Sequence, residues 1–150
     1  MKVRGFEYCN KEYVGTVSLP VRGTLQSAGY DFFCPKDITV MPGATEKIIT
    51  GIKAYMQPGE VLMLFPRSSY GINHNIVLAN TVGVVDADYY NNPDNVGNII
   101  IAIRNNGNHP LKIGAGERFA QGVFLPFLPA DNSEVLHKER VGGVGSTDKE

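Results

Sequence analysis

Residues 46–65 read EKIITGIKAYMQPGEVLMLF and indicate the fold class. They hold two apolar, β-branched runs, Glu46–Met56 and Glu60–Phe65, which the turn formers Pro58 and Gly59 separate. Short runs of this kind between Gly and Pro are typical of β-strands. The pattern recurs at Asp37–Val40, Asn75–Ala79, Asn98–Arg104 and Val123–Phe127. Many short strands at near-regular spacing predict an all-β sandwich, jelly roll or barrel.

Composition predicts a single globular domain. The chain has 150 residues, of which 43% are apolar and 19% charged. A net charge of −1 argues against a nucleic-acid partner or a membrane-binding face. Cys9 and Cys34 do not form a CxxC pair, and we find neither a signal peptide nor a bilayer-spanning run. These features predict a reduced, cytoplasmic protein. Helical periodicity is weak, and Ser68–Asn73 is predicted as one short helical turn that Gly71 limits.

Five short segments stand apart from the strand pattern. Taken singly, each fits an ordinary turn or surface strand as well as a functional site. In chain order they are Ala28–Asp31, Pro66–Gly71, Ala79–Tyr89, Gly116–Val123 and Arg140–Thr147.

Two of these segments suit phosphate oxygens. Arg67, Ser68 and Ser69 follow an apolar run and offer a guanidinium fork, hydroxyls and backbone N–H groups at one point. The glycine-rich segment Arg140–Thr147 can wrap phosphates with its backbone. It has neither the lysine nor the spacing of a P-loop, which excludes that class of nucleotide site.

A third segment suits proton transfer. Asp86 ends an apolar run, and Asp88 follows two residues later, so both side chains point the same way in an extended chain. A carboxylate beside a buried strand end can orient a water molecule and take its proton.

Taken together and in this order, the five segments resemble the five motifs of the trimeric dUTPase family. The resemblance runs from about Ala28 to Thr147, and its most specific pieces are Pro66–Ser69, Gly83–Asp86 with Tyr89, and Gly116–Arg118 with Ala120-Gln121. It implies a jelly-roll-like distorted β-barrel at residues 1–139 and a flexible C-terminal arm at residues 140–150. It also implies a homotrimer in which the arm is exchanged between subunits and each active site is shared by three chains.

The resemblance implies hydrolysis of dUTP to dUMP and pyrophosphate, assisted by Mg²⁺, which limits uracil in DNA and supplies dUMP for dTMP synthesis. Asp86 matches the carboxylate that activates the attacking water. Tyr89 matches the ring that packs on deoxyribose and excludes a 2′-hydroxyl, and Asn80 matches the amide that reads uracil. The tight hairpin, with Gly83, implies rejection of a 5-methyl group.

The remaining implied roles concern phosphate and metal. Asp31 matches the aspartate that holds magnesium through water. The residues that match phosphate-contacting or arm positions are Arg67, Ser68, Ser69, Gln121, Arg140, Gly143, Val144, Ser146 and Thr147.

Two parts of the chain, the arm and the insert after Tyr89, depart from the family pattern. Val144 replaces the usual aromatic residue of the arm, which gives up stacking on uracil but still excludes water. The arm also looks one residue shorter than usual after Arg140. The turn-rich insert Tyr90–Val96 is predicted to lengthen a surface loop, either as a neutral insertion or with a role at a trimer edge or a partner. These variations suggest a phage or bacterial source.

Two other functions stay open at this point. A dCTP deaminase resembles this chain in fold and in Arg-Ser-Ser, but that family places a glutamate near the base, and Ile99–Ile103 offers no such residue. A non-catalytic β-barrel interaction module, or a dUTPase with a regulatory protein partner, is the other alternative. The histidines lie far apart in the chain without zinc-ligand spacing, at His74, His109 and His137.

Overall fold

Twelve strands and one short α-helix make up the regular structure of the described residues, which are 1–136 and 138–148 of this computed structural model. The strands are β1 (Gly5–Tyr8), β2 (Val21–Arg22), β3 (Tyr30–Phe33), β4 (Ile38–Val40), β5 (Thr45–Ile49), β6 (Ile52–Tyr55), β7 (Glu60–Pro66), β8 (Ile76–Leu78), β9 (Gly83–Asp86), β10 (Ile100–Asn105), β11 (Leu111–Ile113) and β12 (Arg118–Pro126). The helix α1 spans Ser68–His74, and 3₁₀ turns span Lys11–Tyr13, Ala87–Tyr89 and Ser146–Asp148.

The strands form four sheets, and each pair of named strands is antiparallel. The largest sheet has the order β2-β3-β12-β7-β9. A second has the order β5-β10-β8, and β1-β6 and β11-β4 form two-stranded sheets. Strand β7 lies between β12 and β9, and therefore connects the segments that the sequence singled out.

The core forms because alternate residues of the strands point inward. In β9 the glycine and Val85 are buried while Val84 and Asp86 face out. In β10 alternation buries Ile101, Ile103 and Asn105. Inward-facing residues of the sheets pack into one hydrophobic core, whose largest members are Phe32, Phe119, Ile52, Leu62, Ile76, Leu78, Ile99, Ile101, Ile103 and Ile113.

The all-β, jelly-roll-like prediction is confirmed, with differences at single elements. The prediction of a single strand over the run Glu46–Met56 is wrong, because Gly51, with a φ of +74°, separates β5 from β6. The short helix was predicted and extends to His74, where Asn75 ends it in the left-handed region.

Within the described part of the chain, no helix is long and apolar enough to cross a membrane.

Candidate active site

A tight hairpin between β8 and β9 forms one wall of the candidate site. Thr81 has a φ of +64° and its N–H donates to Leu78 O at 2.9 Å, which turns the chain within a few residues. Gly83 pairs with Leu64 of β7, and a Cβ at residue 83 would lie 2.7 Å from the Cβ of Leu64. Only glycine allows this approach, so the hairpin is packed firmly onto the sheet.

A cavity of about 260 Å³ lies between this hairpin and the C-terminal arm. It brings together residues of the predicted third and fifth motifs with the start of β10. Its lining is Leu64, Asn80, Gly83, Val84, Val85, Tyr89, Ile99, Ile100, Arg140, Val144, Gly145 and Thr147.

Two carboxylates at the end of β9 bind the same guanidinium. Arg140 Nη2 donates to Asp86 Oδ2 at 2.7 Å, and Arg140 Nε donates to Asp88 Oδ1 at 2.9 Å. The arginine side chain is only 12% exposed, whereas the carboxylates are 51% and 59% exposed. Burial lowers the pKa of Arg140, but Asp88 and Asp86 outweigh it and the net pKa is raised, so the guanidinium stays charged. The side chains of Asp86 and Asp88 thus share one partner, although Asp88 lies in a 3₁₀ turn and not in the extended chain that the sequence predicted.

The arm itself is held by further contacts. The Gly143 N–H donates to Asp94 Oδ2 at 3.2 Å. Ser146 is buried, and its hydroxyl donates to Gly142 O at 3.0 Å while Arg140 Nη1 donates to Ser146 Oγ at 3.3 Å. In this chain the arm therefore lies on its own hairpin, and exchange between subunits stays a prediction.

A second polar cluster gathers the first, second and fourth motifs. Asp31 is flanked by two guanidiniums, with Arg118 Nη1 at 3.1 Å from Oδ2 and Arg67 Nε at 3.8 Å from Oδ1. Gln121 is the strand partner of both Asp31 and Phe65, and its Nε2 donates to Pro66 O at 3.4 Å. A Cβ at Gly29 would lie 2.2 Å from Gln121 Oε1, which explains the small residue in the first motif.

Helix α1 begins immediately after this cluster. Arg67 is its N-cap, and the exposed residues Ser68 and Ser69 form its first turn. The first N–H groups of a helix have no intrahelical partner, so this turn offers backbone donors together with two hydroxyls.

The two clusters are well separated within one chain. Asp86 is the strand partner of Val61, whereas Arg67 directly follows the opposite end of the same strand β7. At about 3.3 Å per residue, six residues of strand place them roughly 20 Å apart. The chain therefore brings the predicted site residues into two groups, not one.

The Tyr90–Val96 insert is more than a surface loop. Asn92 is only 4% exposed, and its Nδ2 donates to Tyr89 O at 2.8 Å. Asn95 Nδ2 donates to Tyr89 Oη at 2.8 Å. These partners of Tyr89 were not predicted from the sequence. The contact of Arg118 with Asp31 was not predicted either, although Arg118 lies within the fourth segment.

The metal prediction depends on Asp31. Among the described residues, no group of three or more His, Cys, Asp or Glu side chains can hold an ion. Mg²⁺ usually keeps several waters and binds one or two carboxylates plus substrate phosphates. A single carboxylate beside two arginines fits an ion reached through water and phosphate, and does not fit a cage of protein ligands. His74 and His109 are exposed, and His137 lies outside the described residues.

Comparison with known proteins identifies the family of this chain. The dUTPase family model matches residues 16–147. A deoxyuridine 5'-triphosphate nucleotidohydrolase of Lactococcus lactis subsp. lactis (strain IL1403) is 49% identical over 148 residues, which covers 98% of this chain and 99% of that protein. A dUTPase crystal structure from Streptococcus mutans is 46% identical, covers 85% of this chain and 99% of the other, and has a TM-score of 0.77.

A more distant structure shows the fold alone. A dUTPase variant from phage phi11 of S. aureus, described with a structural Mg(II) ion, is 20% identical over 91% of this chain and 99% of the other, with a TM-score of 0.71. The family model matches most of the chain, and the match to the L. lactis relative covers nearly all of both proteins. This chain belongs to the dUTPase family.

Proposed function

We propose that this chain hydrolyses dUTP to dUMP and pyrophosphate, with Asp86 activating the attacking water. The observation that carries the proposal is the position of this carboxylate. It ends the strand whose hairpin walls the cavity, it is half exposed to solvent, and it lies one hydrogen bond from Arg140, which lines the cavity. A base beside a cavity of this kind can take a proton from water.

The cavity suits the nucleoside end of the substrate. Its volume of about 260 Å³ is below the range of about 300–1,000 Å³ typical of pockets for drug-sized ligands, so the triphosphate extends beyond it. The proposed roles are Asn80 on the uracil edge, Tyr89 against deoxyribose, and Val144 as an aliphatic lid. The close contact of Gly83 with Leu64 leaves the hairpin little freedom to widen for a 5-methyl group.

In the reaction, water attacks the α-phosphorus, Asp86 accepts its proton, and pyrophosphate leaves. Little covalent work remains for the protein, because phosphoryl transfer depends mainly on position and charge. The donors to phosphate oxygens are Arg67, Ser68, Ser69, Gln121, Arg140, Gly143, Ser146 and Thr147. By this route the enzyme limits uracil in DNA and supplies dUMP for dTMP synthesis.

Magnesium is proposed as the cofactor, held by Asp31 through water and by the substrate's phosphates. When bound, the ion neutralises charge on the phosphate oxygens. The low exposure of Asp31, 13% of its side chain, and its place between Arg67 and Arg118 support a role at the triphosphate end of the site.

The distance between the two clusters supports a site shared between copies. A triphosphate, whose phosphorus atoms are joined by single bridging oxygens, is much shorter than the roughly 20 Å between Asp86 and Arg67 along β7. We therefore propose a homotrimer in which the Asp31–Arg67–Gln121 cluster of one copy faces the Asp86 hairpin of another.

The C-terminal part of the chain fits such an assembly. After β12, exposed apolar side chains such as Phe127, Leu128 and Leu136 lie outside the core. This segment is suited to cover a neighbouring copy and carry the arm across to it. We propose a barrel domain at residues 1–139 and an exchanged arm at 140–150, which in the trimer makes on a neighbouring hairpin the contacts with Asp86 and Asp88 that it makes here on its own. Of the arm, Lys149 and Glu150 lie outside the described residues. The free Cys9 and Cys34 support a reducing, cytoplasmic location.

The catalytic role is tested by Asp86→Asn against Asp88→Asn. Both carboxylates bind Arg140 and are similarly exposed, but only Asp86 is proposed as the base. Loss of a positioned general base costs about 10²–10⁴ in rate. We expect that loss in kcat for Asp86→Asn, and a much smaller effect of Asp88→Asn that appears mainly in KM. Equal kcat values for the two folded variants would remove Asp86 from its role.

The shared site is tested by mixing two inactive variants. Asp86→Asn and Arg67→Ala subunits are denatured together and refolded, and dUTP hydrolysis is compared with that of each variant refolded alone. Mixed trimers are expected to regain activity, because some of their sites hold an intact Asp86 from one copy and an intact Arg67 from another. No recovery in trimers that mass spectrometry shows to be mixed would contradict the shared site.

A further inference from the structure

The Tyr90–Val96 loop folds back against Tyr89. Asn91 and Val96 have φ angles of +56° and +62°, and the Val96 N–H donates to Asn92 O at 2.9 Å. At the following residue, Gly97, a Cβ would lie 2.9 Å from Tyr89 O, so the loop closes tightly on the residue before it. The loop is therefore built against the cavity wall and is not a neutral insertion into solvent.

The side-chain amide of Asn95 is hydrogen-bonded through both its oxygen and its nitrogen. Its Oδ1 accepts from the Gly97 N–H at 3.1 Å and from Asn92 Nδ2 at 2.8 Å. Its Nδ2 donates to Tyr89 Oη at 2.8 Å. The amide orientation is fixed by these partners, because an oxygen is required on one side and an N–H on the other.

The Tyr89 hydroxyl has two partners that define its place. It accepts from Asn95 Nδ2 and donates to Asn98 O at 2.9 Å. Burial raises the pKa of Tyr89, so the phenol remains a neutral donor near pH 7. The ring lines the cavity and is only 8% exposed, and a shift at its hydroxyl therefore moves the surface that faces the ligand.

We propose that Asn95 is a positioning residue that sets the preference for deoxyribose over ribose by holding the Tyr89 ring. The inference rests on the proposed function, in which this ring packs on the sugar. A ring fixed at its far end leaves no room for a 2′-hydroxyl, whereas a ring freed at that end can retreat. The loop then acts in substrate selection through Tyr89, without touching the substrate itself.

The test compares kcat/KM for dUTP and for UTP in the wild type and in Asn95→Ala, with UTP measured as a competitive inhibitor where its turnover is too slow. Asn95→Ala removes every hydrogen bond of this side chain, and loss of the one to Tyr89 is expected to lower the dUTP-over-UTP preference about three- to tenfold. Asn95→Asp keeps the acceptor bonds that close the loop and removes the N–H groups that reach Tyr89 Oη and, at 3.3 Å, Asn98 O, so it should fold and shift the preference in the same direction.

Asn91→Ala is the matched control. It also removes one side-chain hydrogen bond of the same loop, that from Lys53 Nζ at 2.6 Å, but this bond leads away from Tyr89. Alanine at a φ of +56° adds strain, so the control also destabilises the loop. Its nucleotide preference is expected to stay that of the wild type. A shift in the control equal to that in Asn95→Ala would reduce the effect to general loosening and overturn the inference.

Tyr89→Phe provides a second, independent measurement. It removes the hydrogen bond with Asn95 from the other side, together with the one to Asn98 O, so Asn95→Ala should add no further change in preference in that background. An unchanged preference in both Asn95 variants, with dUTP hydrolysis intact, would refute the positioning role alone. Absence of dUTP turnover in the wild type would instead refute the proposed function.

Discussion

Gly83→Ala perturbs the cavity wall at its closest contact. Gly83 begins β9 opposite Leu64 of β7, and the added Cβ would lie 2.7 Å from Leu64 Cβ and 2.9 Å from its Cδ1. Leu64 is only 3% exposed, so its side chain cannot swing out to make room. The two strands must therefore separate locally, or the hairpin must tilt.

The expected cost follows from overpacking a closed core. Forcing an extra carbon into such a site costs about 1–3 kcal/mol. For a domain of about this size each kcal/mol lowers Tm by roughly 2–4 °C, so a decrease of about 2–12 °C is expected. The matched control is Gly23→Ala, where the nearest atom to the new Cβ is 3.8 Å away. That variant should stay within about 0.5 kcal/mol of the wild type.

The same variant should impair catalysis, because the hairpin carries Asn80 at its turn and Asp86 at its end. A misplacement of about 1 Å near a reacting centre can cost about a hundredfold in rate. We expect kcat/KM for dUTP to fall at least tenfold at a temperature where the protein remains folded.

Differential scanning calorimetry and pyrophosphate release measure the two effects. A Gly83→Ala protein whose Tm lies within 1 °C of the wild type and whose kcat/KM is unchanged would refute the close packing of the hairpin on β7. A loss of similar size in Gly23→Ala would show that any added methyl group has this effect, and would refute the argument from Leu64.

Three further predictions concern the arm, the insert and a thiol. Arg140→Ala leaves Asp86 and Asp88 without their shared donor, so KM for dUTP should rise about three- to tenfold, and Arg140→Lys should have an intermediate KM. An unchanged KM in steady-state assays would contradict the role of this contact. Val96 is a β-branched residue at a φ of +62°, and Val96→Gly should remove its backbone strain. The free energy of unfolding measured by urea titration should therefore rise by about 1 kcal/mol, and a decrease would argue against strain at this residue. Burial raises the pKa of Cys9 from 9.0 to about 11, so the unfolded thiol ionises first as pH rises. The stability of the wild type should therefore fall above about pH 9, and that of Cys9→Ala should fall less. Equal pH profiles of stability for the wild type and Cys9→Ala would contradict this prediction.

The sequence could predict the strand architecture because its signals are local. Runs such as Glu60–Phe65 are bounded by Pro58 and Gly59, and β7 matches that run to within one residue. The exception at Glu46–Met56 has a physical reason. Gly51 lies within an otherwise continuous run, and its positive φ ends the strand; a Cβ there would also clash with the ring of Tyr13. Periodicity alone does not contain that information.

The candidate site residues could be singled out where they lie next to recognisable turns, as Asp86 and Arg67 do. Their partners could not. Arg140 meets the Asp86 carboxylate across 54 residues of sequence, and Arg118 meets Asp31 across 87. Such contacts are set by the tertiary fold, and local patterns cannot predict them.

The insert illustrates the same limit at shorter range. Asn92, Asp94 and Asn95 read as turn formers in a surface loop, because asparagine and aspartate favour turns in general. Their side chains instead hold Tyr89 and the Gly143 N–H. The residue types predicted the turn, and only the folded chain shows which groups the turn holds.

Hydrolysis of dUTP with selection of both base and sugar is measured by pyrophosphate release in the presence of magnesium, with dUTP, dCTP, dTTP and UTP offered separately to the purified protein. We expect release from dUTP, with the other three nucleotides slower by orders of magnitude. Ammonia release from dCTP, or no turnover of any nucleotide by the folded protein, would contradict this expectation.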